Sequence, residues 1–67
     1  MIEVSLNNES LQIAVETTVA QLLALRGFEE KKVAVAINTE FVPRSSYQTH
    51  AINSGDAIDV LAAVQGG

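Results

Sequence analysis

The stretch IEVSLNNESLQIAVETTVAQLLALRGF, residues 2–28, decides the fold because its hydrophobic period changes once along its length. Apolar and polar residues alternate over residues 2–6 and again over residues 11–15, with Val15 as the last inward position, which is the period of half-buried strands. The turn formers NNES between them predict a hairpin. From Val19 onward the apolar residues follow helical spacing. This part of the chain therefore predicts two antiparallel strands and then a helix.

Both ends of the predicted helix, residues 19–26, carry recognisable signals. Thr18 stands three residues before Gln21, which fits a capping box at the helix N-terminus. Gly27 can adopt the left-handed conformation that ends a helix, and Phe28 just beyond it is placed to fold back onto the helix.

The second half of the chain predicts three more strands. Residues 33–37 alternate with the valines and the isoleucine inward, and NTEFVP then predicts a turn and a short edge strand, because Pro43 cannot donate to a sheet ladder. Residues 44–52 show no clean period and are interpreted as a loop with one short helical turn. Residues 57–64 form the last predicted strand. Its expected inward residues are Ile58, Val60, Ala62 and Val64.

This order of elements predicts an α+β fold, a mixed sheet of four to five strands with one helix across one face. If the first and last strands lie side by side they are parallel, and the crossover between them contains the helix. That is the β-grasp arrangement. We expect residues 1–67 to form a single ubiquitin-like domain with a flexible diglycine tail at residues 65–67.

Composition excludes several classes of function. The 67 residues are 48% hydrophobic and carry a formal net charge of −4, with no basic cluster longer than Lys31 and Lys32, so nucleic acid is not an expected partner. Without cysteine there is no thiolate nucleophile or sulfur ligand, and no metal site is expected. The opening MIEVSL does not resemble a signal peptide, and no apolar run approaches membrane-spanning length, so we expect a cytoplasmic protein without membrane contact.

The ending AAVQGG provides the candidate reactive group. Gln65 and Gly66 lead to Gly67, whose α-carboxylate is the one main-chain acid not locked in an amide. A carboxylate is a poor electrophile, so exchanging its oxygen for sulfur requires prior activation, which adenylation provides. Because Gly66 and Gly67 have no side chains, they could pass through a narrow part of a partner's active site in which a β-carbon would collide. We expect residues 65–67 to enter a partner's active site.

A second candidate is the sheet face opposite the helix. If the alternation holds, this face is only partly polar, and we predict a docking patch centred on Leu61. Glu3 and Asp59 would lie beside the patch and would suit a basic partner groove. The apolar residues expected there are Ala14, Ala34, Ala36, Leu61 and Ala63.

The remaining polar residues favour structural roles. Arg44 either pins its loop through a salt bridge or meets an anionic partner, and we favour the pin. His50 has no neighbouring cysteine or acidic cluster and is interpreted as a loop residue. Ser45 and Ser46 lack the glycine frame of a nucleophile elbow. Asp56 is expected to fix the turn after Gly55.

Several pieces in this order carry a family resemblance: AIN at residues 36–38, VPR at 42–44, GD at 55–56, and the ending AVQGG at 63–67. With the opening MIEVSLNNE, they make the chain closely similar to the ThiS family, the sulfur carriers of bacterial thiamine biosynthesis. The resemblance implies that an ATP-dependent activating enzyme of the ThiF type adenylates the Gly67 carboxylate.

In that family the adenylate becomes a thiocarboxylate, whose sulfur comes from a donor such as a cysteine desulfurase and passes to thiazole synthase of the ThiG type. The chain would thus be a protein co-substrate and not an enzyme, with no cofactor of its own and ATP used by its partner. Three alternatives stay open. They are the small subunit of molybdopterin synthase, a ubiquitin-like modifier of target lysines, and an interaction module whose tail has no role.

Overall fold

Five strands and one α-helix make up the part of the chain that the computed structural model describes, residues 1–62. The sheet order is β2-β1-β5-β3-β4. The first and last strands are parallel neighbours, with Leu6 opposite Ile58, and every other strand pair is antiparallel. The predicted β-grasp arrangement is therefore confirmed. The elements are β1 (Ile2–Leu6), β2 (Glu9–Ile13), α1 (Val19–Leu25), β3 (Val33–Ile37), β4 (Glu40–Val42) and β5 (Ala57–Ala62), with 3₁₀ turns at Glu30–Lys32 and Arg44–Ser46.

A purely apolar core joins the helix to one face of the sheet. Its members within residues 1–62 are all hydrophobic, and no buried side-chain polar atom there lacks a hydrogen-bond partner. The core therefore avoids the cost of unpaired buried polar groups. The buried residues are Val4, Leu6, Ile13, Val19, Ala20, Leu22, Leu23, Val33, Val35, Ile37, Val42, Tyr47, Ile52, Ile58 and Val60.

Both predicted ends of α1 are confirmed. The Gln21 backbone N–H donates to the Thr18 hydroxyl over 3.2 Å, and the Thr18 N–H donates to the Gln21 side chain over 3.0 Å, which completes the capping box. Gly27 has a φ of 80°, and the Phe28 N–H donates to the Leu23 carbonyl over 2.8 Å. This is a Schellman ending, and it stops the helix one residue earlier than predicted.

The second strand lies two residues earlier than predicted. It spans Glu9–Ile13 because the two-residue turn at Asn7 and Asn8 places Glu9 directly opposite Leu6. Pairing ends where Ile13 meets Ile2, the first residue of β1. The chain then leaves the sheet, and the prediction of Val15 as an inward residue is wrong, since its side chain is 61% exposed.

The last strand buries Ile58 and Val60 as predicted, but the prediction for Ala62 is wrong, because it is exposed. The reason lies in the register: β1 ends at Leu6, opposite Ile58, so the end of β5 has only β3 beside it. The inward position of Val64 and the flexibility of residues 65–67 fall outside the described residues.

The aperiodic segment 44–52 contributes more to the core than its sequence indicates. It contains the predicted helical turn, but Tyr47 and Ile52 are each at most 2% exposed. The segment also bonds to the start of α1, where the Ala20 N–H donates to the Tyr47 carbonyl over 2.9 Å. These two side chains reach the core from turns and not from a helix or a strand. No hydrophobic period in the sequence therefore predicts their burial.

Candidate functional site

Asparagine side chains hold the strand that leads toward the C-terminal glycines at its start and again past its middle. At its start, the Ala57 N–H donates to the Asn38 side-chain oxygen over 3.0 Å. Further along, the Val60 N–H donates to the Asn7 side-chain oxygen over 2.8 Å. Asn7 thus extends the β1 side of the sheet by one hydrogen bond after β1 itself has turned away.

Both asparagines sit in hairpin turns that require a left-handed backbone. Asn7 has a φ of 50° and Asn38 a φ of 52°, values that asparagine tolerates better than most residues. The Asn38 amide also donates to the Asp56 carboxylate over 3.1 Å. Asp56 also accepts from the Asn53 N–H over 2.9 Å, so its predicted role in fixing the turn that contains Gly55 is confirmed.

The sheet face opposite the helix carries the predicted apolar residues. Leu61 is 65% exposed and lies opposite Ala34, while Ala36 lies opposite Asp59 on one side and Phe41 on the other. Both alanines are half-buried. Their outward orientation is confirmed. We call Ala34, Ala36, Phe41 and Leu61 the outer patch.

Phe41 is the member that sequence reasoning missed. Its side chain is 69% exposed, the largest apolar group on this face within the described residues. The sequence does contain a signal for Phe41, which is the apolar Val42 next to it. Neighbours in a strand point to opposite faces, so a buried Val42 places Phe41 on the outer face. Of the other predicted members, Ala14 is exposed but lies just after β2, and Ala63 falls outside the described residues.

Acidic side chains border this face. Asp59 is half-buried beside Ala36, and the Glu3 carboxylate accepts a short hydrogen bond from the Ser10 hydroxyl across the β1–β2 pair. The position of Asp59 agrees with the predicted acidic rim. Glu3 does not lie beside the patch as predicted, because it bonds to Gly55, before the start of β5, whereas Leu61 lies near the other end of that strand.

Arg44 pins its loop, as favoured, although not through a salt bridge. Its guanidinium donates to the backbone carbonyls of Glu30 over 3.0 Å and Lys31 over 3.3 Å. These bonds connect the two 3₁₀ turns. They also leave the guanidinium charge without a carboxylate among its contacts in the described part of the chain.

His50 and the serine pair show no reactive arrangement. His50 is half-buried and uses its backbone, accepting from the Val19 N–H over 3.0 Å. Ser45 and Ser46 lie within the second 3₁₀ turn. Over residues 1–62 no three histidine, aspartate or glutamate side chains are grouped to hold a metal ion, and no helix there is long and apolar enough to cross a membrane.

The predicted reactive segment, Gln65 to Gly67, lies beyond the described residues. From Ala62 the five residues to Gly67 span at most about 17 Å when extended.

Comparison with known proteins identifies the family. The model of the ThiS family matches residues 4–67. The sulfur carrier protein ThiS of Escherichia coli is 31% identical over 65 residues, which cover 97% of this chain and 98% of that protein. A crystal structure of the thiamine biosynthesis protein ThiS from Geobacter metallireducens superposes with a TM-score of 0.83 at 26% identity, covering 98% of this chain and all of that one.

A longer relative is also similar. The thiazole synthase of Paramagnetospirillum magneticum is 40% identical over 62 residues, which are 92% of this chain but only 19% of that protein. The chain thus corresponds to about a fifth of this relative. Because the family model and the Escherichia coli protein each match nearly the whole chain, the chain belongs to the ThiS family.

Proposed function

We propose that this protein is a sulfur carrier for thiazole formation in thiamine biosynthesis. The observation that carries the proposal is the match of the ThiS family model through residue 67, which includes both terminal glycines. In this role the protein is a co-substrate of other enzymes and has no active site of its own. It acts in the cytoplasm and holds no cofactor.

The reaction takes place at the carboxylate of Gly67. A carboxylate oxygen attacks the α-phosphate of ATP on an adenylating enzyme of the ThiF type and displaces pyrophosphate. The resulting acyl adenylate has AMP as a leaving group, which the outer sulfur of a persulfide donor displaces to give an acyl disulfide. A thiol then attacks the donor's sulfur of that S–S bond, forms a disulfide with it, and releases the thiocarboxylate. A cysteine desulfurase is the proposed source of the sulfur.

Thiazole synthase of the ThiG type is the proposed acceptor. The similarity of this chain to a fifth of a thiazole synthase supports this pairing, because the two kinds of sequence occur within one polypeptide there. The outer patch is the proposed docking surface for the adenylating enzyme. Its exposed Leu61 and Phe41 provide the apolar area, and the half-buried alanines between them keep the surface flat.

Intact-mass spectrometry tests the proposal. The protein is incubated with ATP, the adenylating enzyme and a sulfur source, and we expect one oxygen to be replaced by one sulfur at Gly67. A reaction without ATP is the control and should leave the mass unchanged. An unchanged mass in the complete reaction would contradict the carrier function.

The same measurement separates the carrier from a ubiquitin-like modifier. A modifier forms isopeptide bonds, so it would appear as a conjugate with the mass of a target protein added. We expect the free thiocarboxylate and no conjugate.

A further inference from the structure

A groove of about 210 Å³ lies beside the outer patch, between β3 and the segment that follows β4. It shares Ala34 and Phe41 with that patch. Small-molecule sites in proteins usually start at about 300 Å³, so this groove has room for a side chain of a partner and not for a cofactor. Its lining residues are Val33, Ala34, Phe41, Pro43, Arg44 and Tyr47.

The Tyr47 hydroxyl reaches this groove without a partner. Tyr47 is only 1% exposed, yet no hydrogen bond joins its hydroxyl to another group within residues 1–62. Every fully buried side-chain polar atom in that range has a partner, so this hydroxyl must reach the surface, and the surface that Tyr47 lines is the groove. A hydroxyl so largely shielded from water gains from a hydrogen bond that a partner supplies.

The Arg44 guanidinium lies on the same side of the second 3₁₀ turn. The Tyr47 N–H donates to the Arg44 carbonyl over 3.1 Å, and side chains three residues apart in such a turn are aligned. The guanidinium is held by two bonds to backbone carbonyls, which use its Nε and Nη2 groups and leave Nη1 without a partner within residues 1–62. A fixed donor therefore stands beside the Tyr47 hydroxyl at the groove.

These donors select the chemistry of the occupant. A guanidinium can only donate hydrogen bonds, so the group that it meets must be an acceptor, and a carboxylate accepts the strongest bonds from it. The exposed ring of Phe41 and the ring of Pro43 offer apolar walls against which the methylene groups of an acidic side chain can pack.

The selection does not depend on the net charge around the groove. Residues 29–32 place two carboxylates and two ammonium groups at this end of the domain, so neither sign is in large excess there. Neither of these carboxylates contacts the Arg44 guanidinium, which bonds only to carbonyls in the described part of the chain. Arg44 and Tyr47 thus act through directional hydrogen bonds at contact distance.

We propose that this groove receives one side-chain carboxylate, from an aspartate or a glutamate of the adenylating enzyme, to which Tyr47 and Arg44 both donate. The inference rests on the proposed function and adds a specific contact to the docking surface. Apolar burial on the outer patch is not directional, so it does not by itself fix the rotation of the carrier on its partner. A carboxylate held at the groove fixes that rotation, because it adds a second point of contact with a defined geometry.

The first test removes a single oxygen atom. Tyr47→Phe loses the hydroxyl but no hydrogen bond of the described domain, so we expect the melting temperature not to fall. Affinity of the full-length chain for the ThiF-type enzyme, measured by titration calorimetry, should fall about tenfold, the scale of a hydrogen bond to a charged group. Ser54→Ala removes an exposed hydroxyl outside the groove and is the control, which should bind normally.

The second test identifies the carboxylate. Exposed aspartates and glutamates of the enzyme are changed singly to asparagine and glutamine, and each enzyme variant is titrated with the unaltered chain and with Tyr47→Phe. One substitution should weaken binding of the unaltered chain about tenfold and affect Tyr47→Phe much less, because the contact is already partly lost there. If no substitution behaves in this way, no carboxylate faces the groove and the inference is overturned.

Two further results would overturn the inference. One is an unchanged affinity of Tyr47→Phe, and the other is a lower melting temperature, which would show that the hydroxyl already serves the fold. A chain that becomes loaded with sulfur in the mass assay but binds no better than Tyr47→Phe refutes this inference alone. If the unaltered chain neither binds nor becomes loaded, the proposed function fails and this inference fails with it.

Discussion

At the scale of single residues, the strand that leads to the proposed reactive terminus depends on a few side chains in left-handed turns. Asn7 and Asn38 both combine a positive φ with a hydrogen bond to β5. The sequence predicts turns at both places, but it does not show that these side chains reach a strand far along the chain. That contact follows from the parallel pairing of β1 with β5, which only the tertiary fold creates.

Asn7→Ala should lower the free energy of unfolding by about 2 kcal/mol. It removes the acceptor of the part-buried Val60 N–H and replaces asparagine with alanine, which tolerates the left-handed backbone less well. Asn7→Gly keeps the backbone conformation and should lose about half as much, while Asn7→Asp keeps the acceptor and should lose least. Chemical denaturation measures all three. Equal losses for Ala and Asp would show that the side-chain hydrogen bond contributes nothing.

Thr39→Gly should raise the free energy of unfolding by about 0.5 to 1 kcal/mol. Thr39 has a φ of 70°, which is costly for a β-branched residue and free of strain for glycine. Ser45→Gly, in the second 3₁₀ turn and without a positive φ, is the matched control and should lower stability. Destabilisation by both substitutions would argue against strain at Thr39.

At the scale of elements, the hydrophobic period of the sequence predicted the helix and the faces of the strands. It did not predict where each strand stops pairing with its neighbour. The helix, its two caps and the faces of β3 follow from local spacing and were correct. The burial predicted for Val15 and Ala62 was wrong, because each lies beyond the end of a neighbouring strand. The outward position of Phe41 was not predicted, because β4 has only three residues and is too short to show a hydrophobic period.

Leu61→Glu and Phe41→Glu should each weaken binding to the adenylating enzyme about tenfold or more without unfolding the domain. Either change places a charge in the apolar centre of the outer patch, where interfaces exclude charged residues. Val15→Glu is the control, an exposed apolar residue outside the patch. Titration calorimetry and circular dichroism test both points. Equal binding by all three variants would exclude the outer patch as the docking surface.

At the scale of the whole molecule, the described core and the proposed reactive group occupy separate parts of the chain. Every fully buried side chain described here lies between Val4 and Val60, while the proposed reactive atom belongs to Gly67. The sequence predicted both parts, the fold from its periods and the reactive group from the family resemblance. Separation of this kind has a measurable consequence, because changes at the terminus should affect reactivity and stability independently.

Deleting Gly67, or appending one alanine after it, should abolish sulfur loading and leave the melting temperature nearly unchanged. The deletion draws the terminal carboxylate inward by about 3.5 Å, and the appended residue moves it outward by the same distance. Either shift is large against the roughly 1 Å misplacement that already costs a reaction about a hundredfold. Neither change touches a buried side chain of the described core.

Thiocarboxylate formation by mass spectrometry, run beside a melting curve for each variant, measures both effects. Appending a residue at the N-terminus, where Met1 is 80% exposed, gives a control of matched length that should load normally. Full loading of the deleted or the extended chain would show that Gly67 is not the reacting residue. A large drop in melting temperature would show instead that the terminus contributes to the fold, because a residue that only presents its carboxylate to a partner has no packing to lose.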